Sequence, residues 1–75
     1  MFKAKITLSP SCTHESAFKI VELLFWNTLK FTSDYHENTI EFISSASKPR
    51  DFIRLIREQG RTHDPKMTVR IVRNR

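Results

Sequence analysis

The side chains best equipped for chemistry are Cys12, His14, His36, His63 and Asp64. Thiolate, imidazole and carboxylate make a zinc-ligand set, and a pair of imidazoles can exchange protons as acid and base, as RNA cleavage requires. The spacing supports neither use strongly. No CxxC pair and no HExxH run is present, so no metal site and no cofactor are expected, with Cys12, His14, His36 and His63 kept as weak metal candidates. Ser44, Ser45 and Ser47 lack the GxSxG setting of a nucleophile, and no Gly-rich loop offers to cradle a phosphate. The expectation is a nonenzymatic protein.

Two surface patterns point to binding instead. The run from Thr13 to Lys30 reads as one amphipathic helix, with Ala17, Phe18, Ile20, Val21, Leu24, Phe25 and Leu29 sharing a broad apolar face. Trp26 projects from the opposite side, among Glu15, Lys19, Glu22 and Lys30, with Leu23 one turn before it. A large aromatic set among charges is the usual anchor of a protein interface, so Trp26, Leu23, Lys19 and Lys30 form the candidate protein-binding patch. The competing reading folds Trp26 back over the rim of the core. The second pattern is Arg50, Arg54, Arg57 and Arg61, spaced to form a basic stripe along a helix, with Arg61 just past its end. Such a stripe can follow phosphates or an acidic protein surface; Asp51 and Glu58 nearby equally suit an ordinary solvated face.

Composition bounds what can position these groups. With 75 residues and apolar side chains spread from Phe2 to Val72, one compact domain spanning residues 1–75 is expected. A single Cys rules out an internal disulfide and suits the cytoplasm. The longest apolar stretch, IVELLFW, holds Glu22, so neither a signal segment nor a membrane span is expected. The net charge of +5 permits attraction to nucleic acid or to an acidic protein without choosing between them.

Alternation of Phe2, Ala4, Ile6 and Leu8 with Lys3, Lys5 and Thr7 predicts a first strand. Ser9 to Cys12 breaks it, and Thr13 is placed to cap the first helix, which is expected to end near Lys30. Phe31 to His36, a turn at Glu37 and Asn38, and TIEFISS then read as a hairpin. Ser47, Lys48 and Pro49 open a second helix that buries Phe52, Ile53, Leu55 and Ile56 and ends at Gly60; Met67, Val69 and Ile71 form a last strand. The order β α β β α β predicts an α+β domain, a ferredoxin-like split βαβ sandwich with a four-stranded antiparallel sheet and two helices on one face. Right-handed crossovers place strands one and three centrally and leave the other face open.

RNA-recognition domains share this topology and stack bases on aromatic residues of their central strands. Here the corresponding positions are Lys3, Lys5, Thr7, Glu41 and Ile43, with no aromatic among them, so base stacking on the sheet is disfavoured. The resulting expectation is an inhibitor- or adaptor-type module that binds a protein partner through a helix face and basic surface. By analogy of size, it suits a phage or mobile-element protein acting on host nucleic-acid machinery. Direct DNA or RNA binding through the arginine stripe is the alternative, a His-dependent nuclease is the less favoured one, and homodimerisation through the open face or strand two is a separate option.

Overall fold

A computed structural model describes residues 1–25, 28–34 and 37–72. The alternation in the first strand is realised in β1 (Phe2–Thr7), where Ala4 and Ile6 are fully buried while Lys3 and Thr7 remain at the surface. Antiparallel pairing joins β1 to β3 (Thr39–Ser44) on one side and to β4 (Thr68–Val72) on the other; β2 (Thr28–Asp34) pairs outside β3. The sheet order β2-β3-β1-β4, with helices α1 (His14–Leu23) and α2 (Pro49–Gly60) on one face, is the ferredoxin-like arrangement expected from the element order.

The core lies between that face and the helices. Ile6, Ile20, Leu24, Phe42, Ile56 and Met67 are its largest fully buried apolar side chains. Phe42 sits at its centre, edge-to-face with Phe2 at 6.3 Å and Phe52 at 6.1 Å between ring centres. Thr13 caps α1 as its residue type suggests, its hydroxyl accepting from the Ser16 N–H at 3.1 Å. Asn38 turns the β2–β3 hairpin at a φ of 54°, a left-handed conformation that Asn tolerates better than most residues.

Three departures from the sequence expectation have physical causes. First, α1 stops at Leu23, and the residues from Thr28 onward join β2. The buried strand β3 has backbone groups to satisfy along both edges, and β2 must begin at Thr28 to reach the fully buried Ser44. Second, shortening the helix takes Leu29 off it, and the broad apolar face is only partly buried, Phe18 and Phe25 being 62% exposed and Leu29 61%; on α2, Leu55, expected to be buried, is 49% exposed. Third, Gly60 ends α2 without adopting a left-handed conformation. Its role is close approach, because a Cβ there would collide with the Met67 side chain inside the packed core. Within β2, Phe31 and Ser33 pair with Phe42 and Ile40 on the helix side, and Thr32 pairs with Glu41 on the open side.

Candidate functional site: an aromatic cleft beside the edge strand

The helix-facing side of β2 and the flank of α1 nearest it do not close on each other. Between them lies a cleft of about 400 Å³, walled by Ala17, Phe18, Val21 and Phe25 of the α1 segment and by Phe31 and Ile40 of the sheet. Phe18 and Phe25 border the same cleft although α1 ends before Phe25. Polar groups gather at one end of the cleft: Cys12, Thr13 and His14 from the start of α1, with Asp34 and Asn38 from the hairpin. Leu29 extends the apolar surface beyond Phe25 and Phe31.

Phe18, Phe25 and Leu29 belong to the broad apolar face that the sequence predicts, and the structure leaves all three exposed. Their signal was present but ambiguous: an apolar face spanning half a helix is wider than a two-layer domain of this size can cover. Of the candidate protein-binding patch, Leu23 is half-buried near the end of α1 and Lys19 pairs with Glu15 at 3.5 Å on an exposed turn. Lys30 lies in β2, opposite Ile43 on the open face, so it does not share the helix surface with Lys19. Trp26 lies outside the described residues, as does His36.

The arginine stripe exists as a surface, and most of its members have structural partners. Arg54 pairs with Asp51 at 3.0 Å; the Arg57 Nη2 donates to the Val69 carbonyl at 3.4 Å and the Arg61 Nε to the Met67 carbonyl at 3.3 Å. Arg70 of β4 joins Arg50, Arg54 and Arg57 around the shallow surface between α2 and β4. Arg61 follows the last residue of α2, as expected.

The loop end brings Cys12 and Asp64 together. Asp64 is buried and accepts from the Ser9 N–H and the Ser9 hydroxyl, both at 2.8 Å, and from the Lys66 N–H at 3.3 Å. Burial alone would raise its pKa; the bonds from Ser9 and Lys66, with one from the Cys12 thiol, outweigh that and hold the carboxyl below its ordinary value. Burial first, and the Asp64 charge second, push the Cys12 thiol up, so it stays protonated at neutral pH. This is the electrostatics of a loop staple, joining the β1–α1 loop to the α2–β4 loop. His63 is half-buried beside it in sequence and His14 is exposed. Among the described residues, no three His, Cys, Asp or Glu side chains are grouped to hold a metal ion.

No protein-family model and no curated protein sequence matches the chain. Among solved structures it is similar to the solution structure of the yeast copper transporter domain Ccc2a, determined in apo and Cu(I)-loaded states. The TM-score is 0.60 at 10% identity, over 100% of both chains. At that identity the likeness concerns the fold. No described helix is long and apolar enough to cross a membrane.

Proposed function

We propose that this chain is a small nonenzymatic module, of the inhibitor or adaptor type, that binds a protein partner. The aromatic cleft supplies the contact and the basic α2–β4 surface steers the encounter. One observation carries the reading: Phe18, Phe25, Leu29 and Phe31 are all exposed around one cleft and its rim, in a domain too small to leave large apolar side chains out of its core without cost. A net charge of +5, with arginines gathered on the α2–β4 surface, makes a partner surface with acidic groups the better match. The lone free thiol suits the reducing cytoplasm.

The copper chemistry of the structural neighbour is not carried over. A soft metal calls for convergent thiolates, and this chain offers one Cys, held as a thiol. Direct nucleic-acid binding keeps the support of the charge and of the aligned arginines, but Arg54, Arg57 and Arg61 already have protein partners.

Affinity capture from the native lysate, with and without nuclease, tests the reading beside a Phe18→Ser/Phe25→Ser variant. The expected result is a discrete protein retained after nuclease treatment, released as salt rises, and lost with the variant. A binding loss of at least about 2 kcal/mol is expected, against a change in folding stability of under about 1 kcal/mol, because both rings are already in solvent. Retention that disappears with nuclease and ignores both substitutions would transfer the assignment to nucleic-acid binding.

A further inference from the structure

The two edges of the sheet are treated differently. On β4, Arg57 and Arg61 bond to the carbonyls of Val69 and Met67, and Arg70 adds a third cation beside Arg50 and Arg54. An incoming strand would meet occupied acceptors and, if it came from a second copy, like charge. That edge is protected. On β2, from Lys30 to Asp34 every residue is exposed, there is no Pro, and no side chain among the described residues bonds to the outer backbone of Thr28 to Ser33. Its charges, one Lys and one Asp, sum to zero.

We propose that a second copy of this chain docks along β2, strand against strand, about a two-fold axis at Thr32. The pattern of β2 selects this register. By alternation about Thr32, which pairs with Glu41, Lys30 and Asp34 belong to the open face, Asp34 at the strand end also bordering the cleft, while Phe31 and Ser33 lie on the helix face. A two-fold antiparallel pairing must therefore centre on a residue if each side chain is to stay on its own face. Centred on Thr32, it sets Lys30 of each copy opposite Asp34 of the other, giving two ion pairs, and brings the two Phe31 rings into diagonal contact. Centred on Phe31, it sets Lys30 opposite Thr32 and forms no ion pair. The irregularity between Thr28 and Lys30 ends the useful ladder at Lys30, so the charged residues close both ends of the paired segment. Asp34 also accepts from the Glu37 N–H at 3.3 Å and takes part in a further interaction, and an ionised carboxylate, with about four lone-pair sites, can accept from several donors at once.

Such pairing makes one eight-stranded sheet with all the helices on one side. The two aromatic clefts, each open toward the β2 edge, would then merge into a single channel floored by both β2 strands. The proposal concerns only this edge and stands whatever the cleft binds.

Sedimentation equilibrium tests it. The 8.9 kDa chain is expected to reach dimer mass at concentrations on the order of 100 μM, as suits a small edge interface, and to dissociate more readily as salt is raised. Lys30→Glu places like charges at both ends of the ladder; self-association is expected to weaken about tenfold at low salt and to recover as salt rises, the reverse of the parent. Mixing Lys30→Glu with Asp34→Lys restores both opposite-charge pairs, so two weakly associating variants should form a heterodimer. Asp34→Lys can loosen the hairpin turn, and the inverted salt dependence of Lys30→Glu decides the question without it. A parent that stays monomeric at that concentration, or a dimer indifferent to Lys30→Glu, overturns the proposal.

Discussion

Phe42→Ala is expected to cost about 3–5 kcal/mol, the range for removing a fully buried aromatic ring from a packed core. For a chain of 75 residues, a total stability of roughly 4–11 kcal/mol follows from typical values per residue, so this one change removes about a quarter of it or more. The ring is 1% exposed on a central strand, and Phe2 and Phe52 meet it edge-to-face while contacting each other at 6.3 Å. Removing one corner of that triangle leaves a cavity that its neighbours cannot fill without shifting β1 against α2. Urea denaturation followed by circular dichroism measures the effect. Phe31→Ala, at the position paired with Phe42 on the edge strand, is the control: Phe31 is 42% exposed and its loss is expected to cost about 1 kcal/mol. Equal costs at the two positions would mean that β2 and α1 close over Phe31 and that the cleft is not open.

The second large effect is expected at Asp64. Its carboxylate is 3% exposed and is the acceptor for the N–H groups of Ser9 and Lys66 and for the Ser9 hydroxyl. Asp64→Ala leaves those donors buried or half-buried without a partner and frees two loops from each other, at a cost of about 3 kcal/mol. The same geometry fixes the pH dependence. Because the folded carboxyl titrates below its ordinary value of 3.8, its stabilisation is complete above that value and is lost as pH falls through the lowered one. Urea midpoints for the parent and for Asp64→Asn, compared at neutral pH and at successively lower pH below 3.8, are expected to draw together as the pH falls. An acid loss of the same size in both proteins would place the sensitive group elsewhere.

The parts of this fold that were readable in the sequence are those where one local signal met no competitor. Alternation marked β1 and β4, Pro49 marked the start of α2, and Thr13 marked the cap of α1. The α1–β2 boundary was not readable, because Phe25 to Lys30 continues the helical apolar pattern while β3, more than ten residues further on, needs a pairing partner from Thr28. A local pattern cannot register that demand. The same limit hid the aromatic cleft, since Phe18 and Phe25 count as core until the end of the helix is known. Asp64 was singled out as a possible ligand through its residue type, yet its partner Ser9 lies 55 residues away and only the folded chain reveals a staple. Gly60 was correctly placed at the end of α2 for a reason other than the one it serves, which is contact with Met67.

The most direct test of the protein-binding reading is site-specific photo-crosslinking in the native lysate, with a photoreactive phenylalanine analogue at position 18 and, separately, at position 58. Phe18 borders the cleft and Glu58 is exposed on α2 away from it. A discrete protein adduct that persists after nuclease digestion is expected from position 18, and none from position 58. Adducts of equal yield from both positions, or none beyond self-crosslinks at position 18, would contradict the protein-binding reading.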